Sequence, residues 1–144
     1  MKGRPWLMGT LLLWATTAHA AATPGRFAVD AKTETVYDNA TGRTWQRAQA
    51  VGTFSWSAAQ DWCQQLALSG GGWRVPTLSE LEGIVDRGAK DPAIDTAVFG
   101  PTTADAFWTL TPAVAAGSAW SVHFGPGNSS VAAKSTLLRL RCVR

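Results

Sequence analysis

The sequence predicts an α+β domain in which strands at both ends of the chain enclose two short helices. Apolar residues alternate around a turn early in the chain, two helix-capping patterns occupy the middle, and alternation returns in the last third. Because strands and helices are segregated along the chain, we expect the two helices to pack on twisted antiparallel strands.

The first strands are predicted on either side of a tight turn. Phe27, Val29 and Val36 are apolar positions at the short spacing typical of strands. Residues 38–42 combine Asp, Asn and Gly, which favour a chain reversal, and residues 44–46 resume the strand pattern. This arrangement indicates a β-hairpin.

Two capping boxes predict the helices. Ser57, followed three residues later by glutamine, favours a helix over residues 57–67. Thr77, followed at the same spacing by glutamate, favours a second helix over residues 78–87. Apolar residues recur at helical spacing in both segments, so each helix should bury one face.

The rest of the chain has β and loop character. Residues 88–105 contain two X-Pro steps and are expected to be irregular, whereas 106–110, 119–124, 130–133 and 137–143 read as strands.

In the last predicted strand, alternation separates two sets of side chains. Leu138, Leu140 and Cys142 share one face, and Arg139 and Arg141 share the other. We therefore expect both arginines on the solvent side.

The N-terminus has the three parts of a secretory signal. Lys2 and Arg4 precede an apolar run, and small residues at 18 and 20 suit cleavage after residue 20. A cut after residue 22 and an uncleaved anchor are the alternatives. The predicted divisions are a signal peptide at 1–20, a leader with the first strand at 21–34, and one domain at 35–144. The expected location is periplasmic or secreted, without a membrane span after cleavage.

Signal cleavage would change the charge of the protein. The formal net charge of +3 falls to +1 when Lys2 and Arg4 are removed, which gives no support for nucleic-acid binding. No acidic residue follows Asp105, whereas Lys134, Arg139, Arg141 and Arg144 do. This segment could meet an anionic partner or could consist of solvated strand-face charges.

The chain contains two cysteines, Cys63 and Cys142. In an exported protein an even count indicates a disulfide, and two cysteines admit one intramolecular pairing. That bond would join residues 79 apart in sequence and stabilise the fold by roughly 4 kcal/mol on the loop-entropy model. A free nucleophilic cysteine is the alternative.

Five motifs follow one another from residue 38 to the end of the chain. They are residues 38–46, 56–63 with Leu66, 72–77 with 80–81, 107–108 with 119–124, and 141–144. Together they resemble the Lcl C-terminal domain family over about residues 35–144. The resemblance implies a C-type-lectin-like fold, related in shape to formylglycine-generating enzymes, with a disulfide from the first helix to the last strand. It also implies surface adhesion, because the adhesin that names the family binds sulfated glycans.

The motif residues are interpreted as structural. Trp73 should lie in the core, Pro76 should precede a helix N-cap, and Arg74 should pair with Glu80 or brace a loop. Core positions are likewise expected for Trp45, Trp56, Trp62 and Trp120.

The candidate ligand contacts lie towards the C-terminus. They are Trp108, His123, Lys134, Arg139 and Arg141. No metal or cofactor is predicted, since the sugar-binding calcium motifs of C-type lectins are absent and Asp91 and Asp95 alone offer too few oxygens.

Three functions remain open at this point. The first is an exported binding or adhesion module, without catalysis, whose ligand is an anionic glycan. The second is a structural or protein-interaction domain of the cell envelope. The third is a hydrolase, although the sequence shows neither a Gly-x-Ser-x-Gly nucleophile elbow nor a pair of carboxylates placed for catalysis.

Overall fold

The computed structural model describes residues 25–144, so the predicted signal peptide and the first part of the leader lie outside the described residues. The fold is α+β, with two antiparallel three-stranded sheets, short helices and one disulfide. The strands are β1 (Phe27–Asp30), β2 (Thr35–Asp38), β3 (Arg43–Gln46), β4 (Ala106–Pro112), β5 (Ser118–His123) and β6 (Asn128–Ala133). The helices are α1 (Trp56–Gln65), α2 (Leu78–Glu82) and α3 (Thr96–Phe99), with a 3-10 turn at Leu68–Gly70.

The first sheet has the order β1-β2-β3 and contains the predicted hairpin. The turn between β2 and β3 closes with a hydrogen bond from the Gly42 N–H to the Asp38 carbonyl, at 2.8 Å. Gly42 has a φ of +70°, in the left-handed region that glycine occupies without steric cost. The Asp38 carboxylate also accepts from the Ala40 N–H, which holds the turn from inside.

Helix α1 begins earlier than predicted. Ser55 is the N-cap, and its hydroxyl accepts a hydrogen bond from the Ala58 N–H, whereas Ser57 lies inside the first turn. The helix ends at Gln65, with Leu66 in an extended conformation as its C-cap. Ser55 and Ser57 lie two residues apart and either could serve as the N-cap, which explains why the helix begins earlier than predicted.

Helix α2 has the predicted capping box but only five residues. The Thr77 hydroxyl accepts from the Glu80 N–H, and the Glu80 carboxylate accepts from the Thr77 N–H. The predicted extension to residue 87 is wrong, because the chain turns after Gly83 and the Asp86 N–H donates to the Ala93 carbonyl.

Helix α3 was not predicted, because residues 88–105 were expected to be irregular. The Asp95 carboxylate caps it by accepting from the N–H groups of Ala97 and Val98. The helix has four residues, too few to produce a 3.6-residue periodicity in the sequence. The expected count of two helices is therefore too low.

The second sheet has the order β4-β5-β6, and residues beyond β6 do not form the predicted last strand. They run as an extended segment that makes single bridges with both parts of the fold. Val143 bridges Trp45 and Arg74, and Arg139 bridges Phe107. Residues 140–143 of this segment lie between other parts of the fold and are buried, so the expected solvent side is absent there, whereas Leu137 is exposed.

Two apolar clusters lie on opposite faces of the second sheet. The neighbours Phe107 and Trp108 point in opposite directions from β4 and enter different clusters. The first cluster joins the second sheet to the first sheet, α2 and α3, and its buried members are Val36, Trp45, Leu81, Ile84, Ile94, Phe99, Phe107, Val122, Phe124 and Val143. The second cluster lies under α1, and its buried members are Ala50, Ala59, Cys63, Trp73, Val75, Trp108, Ala119, Leu140 and Cys142.

The disulfide lies within the second cluster. Cys63 on α1 is bonded to Cys142 on the C-terminal segment, and both residues are fully buried. The predicted bond is thereby confirmed. Trp45 and Trp73 are buried as predicted, whereas the expectation of core positions is only partly met for Trp56, Trp62 and Trp120, which are half-buried.

Candidate functional site

Two of the five candidate ligand contacts are core residues. Trp108 is fully buried, and its indole N–H donates to the Phe54 carbonyl at 2.7 Å. Arg141 is also fully buried. The interpretation of these residues as ligand contacts is therefore corrected, since neither side chain reaches solvent. Alternation along a free strand placed Arg141 outside, but the segment that carries it is enclosed.

Arg141 is held by carbonyl groups rather than by a carboxylate. Its guanidinium donates to the carbonyls of Gln46, Arg47 and Phe99 and to the hydroxyl of Thr102. Burial lowers the pKa of Arg141 to about 9, which leaves the group charged at neutral pH. This charge therefore links β3, α3 and the C-terminal segment from inside the protein.

The other basic residues of the acid-free segment are separated. The Arg139 Nε lies 3.0 Å from the Asp105 carboxylate, and hydrogen bonding to this guanidinium is the first cause of the lowered pKa of Asp105. Lys134 lies elsewhere, with its ammonium 4.1 Å from the centre of the Trp56 ring. The expected basic segment is therefore not a continuous basic surface.

His123 is half-buried, and its Nδ1 accepts from the Gly125 N–H at 3.0 Å. It is paired with Ala106 in the sheet, one residue from Asp105. A shallow cleft of about 310 Å³ beside Asp105 and Arg139 is also lined by Thr53. The ion pair balances the charge of this cleft, so it offers little attraction to an anion.

The motif residues assembled around Glu80 form the more concentrated site. Arg74 makes a bidentate pair with the Glu80 carboxylate, with N···O distances of 2.7 and 2.8 Å. The predicted pairing of Arg74 with Glu80 is confirmed. Arg43 approaches the same carboxylate from β3, its Nε 3.1 Å from the Glu80 Oε1. Two guanidinium groups thus share one carboxylate.

The electrostatics of Glu80 follow from these contacts. Hydrogen bonds from Arg74, which outweigh the effect of burial, lower the pKa of Glu80 to about 2, with help from the Thr77 N–H and the charge of Arg43. Glu80 is therefore a permanent anion above pH 4. It fixes both arginines, because a charge-assisted bidentate pair is strongly directional.

A second ion pair lies beside the first. Arg26 makes two hydrogen bonds to Asp38, at 2.8 and 3.1 Å, and its terminal nitrogen also donates to the Gly83 carbonyl. Burial alone would raise the pKa of Asp38, but hydrogen bonds from Arg26, the Ala40 N–H and the Thr41 hydroxyl lower it overall. Asp38 is therefore ionised and held in place.

These residues surround a cavity of about 240 Å³, which we call the arginine cavity. Its lining residues are Arg26, Asp38, Thr41, Arg43, Trp45, Ser79, Glu80 and Gly83. Their elements are β2, β3 and α2, so the turn after β2 and the capping box of α2 together position the polar groups. An adjoining cavity of about 290 Å³ shares Arg26 and Gly83 with it and is also lined by Phe27 and Arg87.

The arginine cavity and the ion pairs beside it together carry one excess positive charge. The lining itself is balanced, with Arg26 and Arg43 against Asp38 and Glu80, and the excess comes from Arg74, which pairs with Glu80 from outside the lining. The Arg43 side chain is 45% exposed, the most open of the three. Its terminal nitrogens have no hydrogen-bond partner within residues 25–144 and are available to an anionic group.

Trp45 adds an unpaired donor at this place. The residue lines the cavity and is 1% exposed, and its indole N–H has no hydrogen-bond acceptor among the described residues. A buried N–H without a partner costs free energy. The lining can offer guanidinium donors, carboxylate acceptors and the hydroxyls of Thr41 and Ser79 to a polar ligand, whereas the Trp45 indole N–H is not accessible to solvent.

Within residues 25–144, no three side chains from His, Cys, Asp and Glu come together as a metal-binding group. None of the helices described in that range is long and apolar enough to cross a membrane.

The sequence interpretation missed the arginine cavity, although most of its residues lie in the quoted motifs. The sequence predicts a turn at Asp38, and for Glu80 a capping box and a pairing with Arg74, but it indicates no role for Arg43. The available signal was the recurrence of arginine and carboxylate in motifs 38–46 and 72–81. Their convergence depends on the C-terminal segment, which pairs with both Trp45 and Arg74 through Val143.

Comparison with known proteins agrees with the motifs. The family model described as the Lcl C-terminal domain matches residues 34–144. No curated protein matches the chain. The matched region contains every residue of the arginine cavity except Arg26, together with both half-cystines. Because the match covers well over half of the sequence, the chain belongs to the Lcl C-terminal domain family.

Proposed function

We propose that this protein is an exported, non-catalytic binding module that recognises an anionic glycan through the arginine cavity. The observation that carries the proposal is the sharing of Glu80 by Arg43 and Arg74 beside this cavity. A sulfate or carboxylate group of the glycan would neutralise the excess positive charge. The carboxylates and hydroxyls of the lining would form hydrogen bonds with sugar hydroxyl groups.

Export is supported by the buried disulfide, since such bonds persist in oxidising compartments such as the periplasm and the extracellular space. Membership in a family named after an adhesin supports the adhesive role. We further propose the C-type-lectin-like version of the α+β fold. Its support is the link from the first helix to the C-terminal segment through Cys63 and Cys142.

The size of the cavity limits what it can hold. At about 240 Å³ it lies below the roughly 300–1,000 Å³ of pockets that enclose a drug-sized ligand. We therefore expect it to hold one acidic sugar residue of a longer chain, with the remainder outside. Binding should weaken as salt rises, because the recognition is electrostatic and partly exposed to solvent.

The test is calorimetric titration of the protein with a heparin-derived oligosaccharide and with the same oligosaccharide after desulfation. Arg43→Gln should weaken binding of the sulfated form by about 10- to 100-fold, the effect of losing a hydrogen bond to a charged group. Arg47→Gln is the matched control: Arg47 is also a partly exposed arginine in an ion pair, at 3.6 Å from Glu34, but it lies outside the cavity.

The following results would contradict the proposal. Equal affinity for sulfated and desulfated oligosaccharides would remove the anionic group from recognition. Equal effects of Arg43→Gln and Arg47→Gln would remove the arginine cavity. If Lys134→Gln or Arg139→Gln weakens binding instead, the site is in the C-terminal segment, as the sequence suggested. The catalytic alternative is tested by monitoring hydrolysis of the oligosaccharide by chromatography. Hydrolysis by the wild type that is lost in His123→Ala would support it.

A further inference from the structure

Among residues 25–144, strand β6 pairs with another strand on one side and leaves one edge of the second sheet open. It is the end strand of the order β4-β5-β6 and pairs with β5 on one side. The Lys134 N–H donates to the Gly117 carbonyl, which makes these two residues a hydrogen-bonded pair of the ladder. In an antiparallel ladder, hydrogen-bonded pairs alternate with non-hydrogen-bonded pairs, and Ser129 and Val131 belong to the second kind. Their backbone N–H and C=O groups therefore point away from β5. They form a template for another strand.

The features that usually protect an edge are present on β1 and absent from β6. β1 has four residues, is preceded by Arg26 and ends at Asp30. β6 has six residues, contains neither charge nor proline, and pairs with β5 without a register shift. Lys134 follows the strand, but its ammonium lies over the Trp56 ring. Charges, prolines and bulges are the devices that prevent edge strands from pairing with other chains. β6 is therefore the edge that is free to associate.

An apolar pair lies next to this edge. Val131 is 46% exposed, and it lies opposite the half-buried Trp120 on β5, on the same face of the sheet. If a second β6 pairs antiparallel so that outward-pointing residues face one another, Val131 lies opposite the partner's Val131 and Ser129 opposite the partner's Ala133. The two copies then form one apolar row, Trp120 and Val131 followed by the partner's Val131 and Trp120.

We propose that two copies of this chain associate through β6, antiparallel and two-fold symmetric, to form a continuous six-stranded sheet. The strand is its own complement: small neutral residues lie opposite small neutral residues, and no like charges meet along its length. The contact area of a single strand pair is small, so the dimer exchanges rapidly with monomer. This association is independent of the proposed glycan site, because none of the residues lining the arginine cavity lies on β6.

Sedimentation equilibrium of the oxidised protein from micromolar to millimolar concentration tests the proposal. The wild type should show a concentration-dependent monomer–dimer equilibrium. Val131→Lys places a charge at the two-fold axis and should raise the dimer dissociation constant by about tenfold or more. Val114→Lys makes the same chemical change at a fully exposed residue between β4 and β5 and should leave the constant unchanged.

A cross-link provides a second measurement. Hydrogen-bonded antiparallel pairs have Cα atoms about 5.5 Å apart, within the roughly 4.4–6.8 Å that a disulfide spans. Val131→Cys should therefore form an intermolecular disulfide under mild oxidation at least about tenfold faster than Val114→Cys. Both positions are exposed, so both variants should keep the wild-type circular dichroism spectrum.

Three outcomes would overturn the proposal. They are a wild-type protein that remains monomeric at millimolar concentration, a dimer that Val131→Lys and Val114→Lys affect equally, and equal cross-linking rates of the two cysteine variants. Capture of an extended peptide by β6 with no self-association would also count against it, since the strand would then serve another chain.

Discussion

Glu80→Gln is the substitution that tests the account of the arginine cavity most directly. Glutamine keeps an acceptor for the Thr77 N–H, so the capping box of α2 is retained. What is removed is the negative charge that Arg74 and Arg43 share. The variant therefore separates the effect of the ion-pair cluster from that of the helix cap.

The magnitude follows from the protonation equilibrium of Glu80. The pKa of this carboxyl falls from 4.5 to about 2, and each pKa unit corresponds to about 1.4 kcal/mol, so the charged form contributes at most about 3.4 kcal/mol. The side chain is 14% exposed, while Arg74 and Arg43 are 35% and 45% exposed, so solvent screening reduces this value. We expect Glu80→Gln to lower the free energy of unfolding by about 1.5–3 kcal/mol at pH 7.

The pH dependence has a definite sign. Because the pKa is lower in the folded state, the contribution is complete above pH 4.5 and disappears as the pH falls towards 2. Urea unfolding of the wild type and Glu80→Gln at several pH values should show their difference shrinking over this interval. Taking the difference between the two proteins removes the contribution of the other carboxyl groups, because these groups titrate in both.

Glu34→Gln is the control for this experiment. Glu34 is 51% exposed and lies 3.6 Å from Arg47, so its loss should change the free energy of unfolding by less than about 0.5 kcal/mol. If Glu80→Gln has an equally small effect at pH 7, or if its effect is the same at pH 7 and pH 2.5, the reasoning about Glu80 is refuted.

Two further predictions concern the C-terminal segment. Replacing both Cys63 and Cys142 by serine should lower the free energy of unfolding by about 2–5 kcal/mol in urea titrations, and an unchanged midpoint would contradict a stabilising disulfide. Arg141→Met should lower it by about 2 kcal/mol or more, because the carbonyls of Gln46 and Phe99 lose a buried donor. Stability equal to the wild type would show that removing the desolvated charge offsets the lost hydrogen bonds.

Local signals in the sequence predicted local structure well. The turn after Asp38 and the capping box at Thr77 depend on contacts within a few residues, and both are present. Helix α3 was missed because four residues contain little pattern. The end of α2 was misplaced because the hydrogen bond that diverts the chain, from Asp86 to Ala93, closes a loop that periodicity does not register.

The candidate site was only partly predictable. The pairing of Arg74 with Glu80 follows from their nearness in sequence, and it was expected. The approach of Arg43 to the same carboxylate joins residues 37 positions apart, and it requires β3 and the C-terminal segment to be aligned. The two errors have different causes. Arg141 was expected on the solvent side of a strand, but the segment around it is enclosed, and Trp108 was expected to be accessible because it follows a loop-rich stretch, but it lies on the core face of β4.

The sequence by itself determined the α+β class, the family, the pairing of Cys63 with Cys142, the capping box at Thr77 and the turn after Asp38. Each depends on residue type and short spacing, or on there being one possible cysteine partner. Only the tertiary structure decided which charges are exposed. It buried Arg141 among carbonyls, paired Arg139 with Asp105 and brought Arg43 to Glu80. The physical reason is that the free energy of a charge depends on its partners and on solvent, and neighbours distant in sequence supply both.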